Sequence, residues 1–378
     1  MTTRALDVRQ SVQFDHRRRL QRAAEEAGER GIDALLITPS PDYLYLLGYR
    51  APVLERLTCL VVRPGAEAVL ILPRLEEPLA RHELADLADA VALIPWEETD
   101  DPFRLVQQLL AGSQRVAVQD QMWARFVLRL RAALDPTSLV EAGPTMSALR
   151  RIKSADEIDR LRNAAQAADA AMLAITRERL SGRTEAEVSA RIRSLLVEHG
   201  HETADFAIVA SGPNSASPHH HPGERVITSG DALVLDIGGS RDGYGSDTTR
   251  TAFVGTPQPE FAALYAVLKE AQRAACEAVA PGVPCSQIDA VARGIIEEAG
   301  YGEAFIHRTG HGIGLETHEE PYIVASNPEL LQAGHAFSVE PGIYIGDTWG
   351  ARIEDIVVCT DAGVERLNST STDLYLVD

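Results

Sequence analysis

GDALVLDIGGSRDGYGSDTTRTAFVG occupies residues 230–255. Gly230 opens a turn, an apolar run ends in Asp236, a glycine-rich turn follows, and Asp247 leads into the apolar TTRTAFVG. Apolar runs bounded by turn residues read as strand, turn, strand. The plan returns in GHAFSVE at 334–340, again with an acid six residues after a glycine. The second acid is then Glu354, 14 residues after Glu340, where Asp247 follows Asp236 by 11. DIVVCT continues from Glu354 as another apolar strand. The helices upstream repeat as well. LSGRTEAEVSARIRSLLVEHG (180–200) and APGVPCSQIDAVARGIIEEAG (280–300) each space two glycines 18 residues apart around an amphipathic segment. Together these matches predict two copies of a helix–helix–strand–hairpin unit, packed so that the hairpins meet.

Asp236 and Glu340 end apolar strands, where a bare carboxylate is costly unless paired or bound to a cation. Any one of the four acids could instead cap a turn or pair with Arg250 or Arg352. Four acids at matching places in a repeat favour a common centre. Carboxylates in contact repel strongly without cations between them, and two divalent ions would satisfy four. His311, in HRTGHGIGLETHEEP (307–321), is the natural fifth ligand. His307 and His311 have helical spacing, but Gly310, Gly312 and Gly314 argue against a helix. Between Thr309 and His311 the chain is expected to be a loop or extended turn. Oxygen donors with one imidazole suit manganese or cobalt, with zinc or iron as alternatives.

The first half reads differently. Residues 14–30 read as a helix, 32–38 as a buried strand and 57–72 as a hairpin; helix and strand then alternate to about 140. That pattern predicts an α/β domain with a mixed sheet. Gly143, Pro144 and a capping box of Ser154 with Glu157 place the boundary near 142–152, giving domains 1–146 and 147–378. The net charge of −19 over 378 residues speaks against a nucleic-acid partner. No apolar run is long enough to span a membrane, and residues 1–20 lack the apolar core of a secretory signal. Four cysteines without a C-x-x-C pair read as inert thiols in a reducing compartment, so the expected location is cytoplasmic.

The motifs VLDIGG (234–239), YGSDTTR (244–250), HRTGHGIGLETHE (307–319), SVEPGIY (338–344) and GARIEDIV (350–357) resemble the prolidase and aminopeptidase P family. Its catalytic domain has the α+β pita-bread fold, with an internal pseudo-two-fold repeat, shared with methionine aminopeptidase. The resemblance covers essentially the whole chain, by motif in the second half and by arrangement in the first. It implies metal ligands at Asp236, Asp247, His311, Glu340 and Glu354. Asp236 and Asp247 would hold one ion and His311 the other, with Asp247 and Glu354 bridging. It also implies supporting roles for His219, His307, His318, Tyr344 and Arg352, and a homodimer. Relatives that lost metal, such as creatine amidinohydrolases, lack several of these acids.

The reaction this implies is hydrolysis of an Xaa-Pro peptide bond by water activated between two cations. Glu340 would shuttle the proton, and His318 would donate to the carbonyl oxygen as charge develops there. His219 would touch substrate, Arg352 would fix the carboxylates, and Tyr344 would brace them. His220 and His221 read as exposed loop. The substrate would be a short peptide with proline second, and a dipeptidase is preferred to an aminopeptidase P. A dipeptidase needs a cation for the terminal carboxylate. None lies between His318 and Glu340, so Arg50 and Arg56 are candidates. A non-catalytic binding protein on a peptidase fold is the alternative of another class.

Overall fold

The computed structural model describes residues 14–378. The signal-sequence reading of the N-terminus falls largely on residues 1–13, outside that range. Contacts divide the chain into two compact units between Arg150 and Arg151. The division drawn from the sequence at 146/147 lies inside the helix Gly143–Arg150, and the units separate where that helix ends.

The first unit has strands β1 (Ala34–Ile37), β2 (Cys59–Val62), β3 (Ala68–Pro73), β4 (Val91–Trp96), β5 (Arg115–Val118) and β6 (Ser138–Glu141). They form one sheet in the order β4-β3-β2-β1-β5-β6. β2 is antiparallel to both β1 and β3, and β3–β4, β1–β5 and β5–β6 are parallel, which makes the expected mixed sheet. Helices α1 (His16–Glu29), α2 (Pro41–Leu47), α3 (Glu77–Glu83), α4 (Pro102–Leu109), α5 (Ala124–Leu134) and α6 (Gly143–Arg150) accompany it. Arg56, one of the two arginines considered for substrate, pairs with Glu55 and Glu98.

The second unit contains the repeat. Copy one is α7 (Ala155–Ile175), α8 (Glu185–Glu198) and the antiparallel strands β7 (Thr203–Ser211), β8 (Ala232–Arg241) and β9 (Tyr244–Val254). Copy two is α9 (Pro259–Glu277), α10 (Cys285–Glu298), β10 (Gly310–Gly312), β11 (Glu319–Ile323) and β12 (Ala336–Val339). Its chain continues through a small hairpin, β13 (Gly342–Ile345) with β14 (Trp349–Arg352), into β15 (Asp355–Thr360). β16 (Gly363–Arg366) extends one sheet to the order β11-β10-β12-β15-β16, and β17 (Tyr375–Val377) completes β17-β9-β8-β7.

The repeat has a backbone cause. Gly182, Gly200 and Gly230 in copy one and Gly282, Gly300 and Gly334 in copy two all have positive φ, between 84° and 107°. Side chains with a Cβ avoid that region, so glycine is required at each turn. Both helices bury the same stripe. Val188, Ile192 and Leu196 in α8 and Ile288, Ala292 and Ile296 in α10 are fully buried. Spacing of four residues keeps each set on one helix face. The capping box expected at Ser154 and Glu157 opens α7.

One local expectation fails. Residues 310–312 form the short strand β10 rather than a loop. Gly310 lies so close to β12 that a Cβ there would sit 1.8 Å from the Ser338 carbonyl oxygen. The glycines that break a helix here permit a tight strand contact.

Candidate metal centre

Asp236 in β8 lies opposite Thr249 of β9, and Asp247 lies opposite Gly238. Side chains two residues apart share a sheet face, so Asp236, Thr249 and Asp247 point the same way. Glu340 and Glu354 flank the Val339–Asp355 pair at the ends of β12 and β15. His311 lies in β10, beside β12. The two copies meet at the acids. The Glu354 amide donates to the Thr249 carbonyl at 3.1 Å, and Thr249 Oγ1 donates to Glu354 Oε2 at 2.8 Å.

Ligand atoms of Asp236, Asp247 and Glu354 lie within 4.8 Å of one another, as do those of His311, Glu340 and Glu354. A third such group is Asp247, His311 and His318. Glu354 belongs to two groups, as does Asp247. All five expected ligand residues therefore converge.

The electrostatics of the cluster call for cations. Asp236 Oδ1 and Glu354 Oε1 are buried without a hydrogen-bond partner, an arrangement that is costly for a carboxylate oxygen. Burial, then the neighbouring acids, push the carboxyls of Asp247 and Glu354 well above their ordinary range. Burial also works to raise Glu340, but His311 holds it low, at about 2. His311 Nδ1 lies 3.1 Å from the Gly312 carbonyl and, as a donor there, turns Nε2 toward the acids. Nε2 faces Glu340 at 3.2 Å and Asp247 at 3.7 Å. A ring nitrogen facing two carboxylates requires a proton or a cation between them. The residues present thus fit divalent metal.

Arg352 is buried and donates to Asp236 Oδ2 at 2.6 Å, to the Tyr344 hydroxyl at 2.6 Å and to Thr249 Oγ1 at 3.2 Å. Of the two arginines weighed as partners for the acids, Arg352 takes that part. Arg250 pairs with Asp355 instead, both side chains fully buried. The Tyr344 hydroxyl also lies 3.0 Å from His307 Nε2, and burial pushes its phenol up to about 12. His307 Nδ1 lies 2.7 Å from the Arg308 carbonyl. His307 therefore braces Tyr344 and stands outside the three ligand groups.

His318 meets His311 edge to face, with ring centroids 4.1 Å apart. Burial, then the charge of His311, lowers its imidazole to about 4. Its neighbour Glu319 pairs with the buried Lys153. A cavity of about 550 Å³ opens over the acids, lined among others by Phe206, Ile208, His219 and His318. His221 is exposed as expected, but His220 is not a free loop side chain. Its Nε2 lies 2.7 Å from the buried carboxylate of Glu185, and only 20% of the side chain is exposed. The sequence reading missed that contact because the partners stand 35 positions apart.

Arg308 was also missed. It lines the cavity, and its guanidinium lies 4.4 Å from the centroid of the Tyr322 ring. Tyr322 is opposite His311 across the β10–β11 ladder, and opposite residues share a face. Among the described residues Arg308 makes no ion pair. The available signal was a cation three residues before His311, upstream of the His318–Glu340 interval.

The model of metallopeptidase family M24 matches residues 159–361, and that of the creatinase/prolidase N-terminal domain matches residues 19–152. The chain belongs to metallopeptidase family M24. A probable dipeptidase PepE of Mycobacterium tuberculosis is 44% identical to this M24 chain over 373 residues, covering 97% of this chain and 99% of that protein. A prolidase structure from Thermococcus sibiricus superposes with a TM-score of 0.90 at 36% identity, covering 96% of this chain and 99% of that one. An X-Pro aminopeptidase structure from Thermotoga maritima gives a TM-score of 0.80 at 28% identity, over 93% and 100% of the two chains. This M24 chain is a metallopeptidase, and its two-part fold with a pita-bread catalytic unit is the one the motifs implied. Among the described residues, no helix is long and apolar enough to cross a membrane.

Proposed function

We propose that the chain is an Xaa-Pro dipeptidase working with two divalent ions, manganese being the best match to its donors. The observation that carries this reading is the convergence of Asp236, Asp247, His311, Glu340 and Glu354 beneath one cavity. Asp236, Asp247 and Glu354 would hold one ion, and His311, Glu340 and Glu354 the other, with Asp247 reaching both. Bound there, the cations supply Lewis acidity, which polarises the peptide carbonyl and acidifies the attacking water.

The protein's own groups do the rest. Glu340 takes a proton from the attacking water and returns it to the proline nitrogen as the bond breaks. His318, neutral at pH 7 because burial depresses its imidazole, donates to the carbonyl oxygen as negative charge grows on it. Arg352, itself braced by Tyr344 and His307, keeps Asp236 in place by direct donation. His219, at the cavity wall, contacts substrate. Arg308 favours a dipeptide: an unpaired guanidinium suits a terminal carboxylate, which a longer peptide does not present next to proline. A bidentate arginine–carboxylate pair adds specificity as well as affinity.

A cytoplasmic homodimer belongs to the same reading. The test of activity is hydrolysis of Xaa-Pro beside Xaa-Pro-Yaa by protein stripped of metal and reloaded with Mn²⁺. The reading expects turnover of the dipeptide after reloading. Turnover of the tripeptide alone would make the chain an aminopeptidase P, and turnover of neither would favour a binding protein.

A further inference from the structure

Glu185 is the first residue of α8, and its side chain is fully buried. Its Oε1 accepts from the Ser211 amide at 2.8 Å, the Ser211 hydroxyl at 2.6 Å and Asn214 Nδ2 at 3.0 Å. Its Oε2 accepts from His220 Nε2 at 2.7 Å and the Gly223 amide at 3.3 Å. All five donors belong to residues 211–223, the segment that carries His219. Burial pushes this carboxyl up, but the donors outweigh it and hold it below its usual range. It is a stable anion at the centre of a segment made of the end of β7, a 3-10 helix at Gly212–Ala216 and irregular chain beyond it.

The far side of the segment is fixed too. Ser215 Oγ accepts from the Gly350 amide at 2.8 Å. A Cβ on Gly350 would lie 2.1 Å from the Ser215 carbonyl oxygen, so the loop rests directly on β14. β14 ends in Arg352, the partner of Asp236. The segment is thus held between the start of α8 and a strand that supports the acids. His219 follows from it into the cavity, whereas Glu185 is not among the cavity-lining residues.

We propose that Glu185, acting through His220, is a positioning residue that fixes the 211–223 loop so that His219 meets the substrate. This rests on the reading that the chain cleaves Xaa-Pro peptides and that His219 contacts them. The carboxylate gathers backbone, hydroxyl, amide and imidazole donors at once, so neutralising it releases the loop at several points. A displacement of about 1 Å in a substrate-contacting group costs up to ~100-fold in rate.

The test is a double-mutant cycle with Glu185→Gln and His219→Ala, read as kcat and KM on an Xaa-Pro dipeptide, with metal content and Tm measured alongside. Glu185→Gln is expected to lower kcat/KM by about 10–100-fold with the metal content of the parent. In the His219→Ala background the same change is expected to cost little, because there is no longer a histidine to place. His220→Ala should behave like Glu185→Gln, and His220→Gln, which keeps a donor toward Glu185, should recover most of the activity. Equal losses with and without His219 would overturn the proposal, as would parental activity in Glu185→Gln. Should Glu185→Gln unfold, parental activity in His220→Ala would overturn it. If His219→Ala alone leaves turnover unchanged, His219 does not contact substrate and the positioning role falls with it. A parent protein inactive on every Xaa-Pro peptide would instead remove the functional reading itself.

Discussion

Replacing Arg352 with methionine keeps much of the side-chain volume and removes its charge. Asp236 then loses its partner on Oδ2, and Oδ1 already lacks one. Breaking a buried ion pair on one side costs about 3–5 kcal/mol. The second compact unit runs from Arg151 to Asp378. For a folding unit of that size, 1 kcal/mol moves Tm by about 2–4 °C, so the metal-free variant should melt ~6–20 °C below the parent. Divalent cations supply positive charge to the same carboxylate, so the deficit should shrink to less than half when they are bound. Calorimetric melting of both proteins, in chelator and in excess Mn²⁺, measures the two differences. An equal loss in both conditions would mean that Arg352 supports the fold without reference to the cluster's charge. A metal-free loss below about 1 °C, well under that expected range, would refute the ion pair.

Arg308→Ala should raise KM for an Xaa-Pro dipeptide by about 10–100-fold, the scale of a lost charge-assisted pair, while leaving an Xaa-Pro amide nearly unaffected; steady-state kinetics on the two substrates check it, and an equal effect on both would remove the carboxylate role. His318→Ala should lower kcat by about 10²–10³ with unchanged metal content, and near-parental kcat would end its assignment as a donor. His335 gives a stability prediction. It is fully buried with its Nε2 3.7 Å from Glu329 Oε1, and burial outweighs the pull of that carboxylate and lowers its imidazole to about 4, beneath an unfolded value of about 6.5. The unfolded chain therefore binds more protons between those values. This contribution to stability is complete above about pH 6.5 and is lost as pH falls toward 4. His335→Asn should flatten that slope in urea titrations at stepped pH, whereas an unchanged slope would show that His335 does not set it.

What could be read in the sequence is what local chemistry forces. Gly182, Gly230, Gly282 and Gly334 were legible because their turns need positive φ. Asp236 and Glu340 were legible because acids rarely end buried apolar strands without a counter-charge. What stayed hidden depends on contacts between distant segments. Glycines that argue against a helix between Gly310 and Gly312 could not reveal the strand, because the reason is the Ser338 carbonyl pressed against Gly310. His220 looks like any loop histidine until Glu185 is seen behind it. Arg250 and Arg352 are alike in sequence as partners for an acid, and only the fold gives Asp355 to one and Asp236 to the other. Arg308 escaped notice because its place beside the cavity follows from the pairing of β10 with β11, which brings Tyr322 beneath it.

The most direct test is the metal stoichiometry of purified protein, stripped with chelator, reloaded with Mn²⁺, desalted and measured by elemental analysis beside a Glu354→Gln variant. Because Glu354 belongs to two of the three ligand groups, the two assigned to the ions, the parent should retain two ions per chain and the variant should hold both more weakly, with fewer than one retained. A parent that keeps no divalent ion, or a variant that still keeps two, would contradict the shared centre.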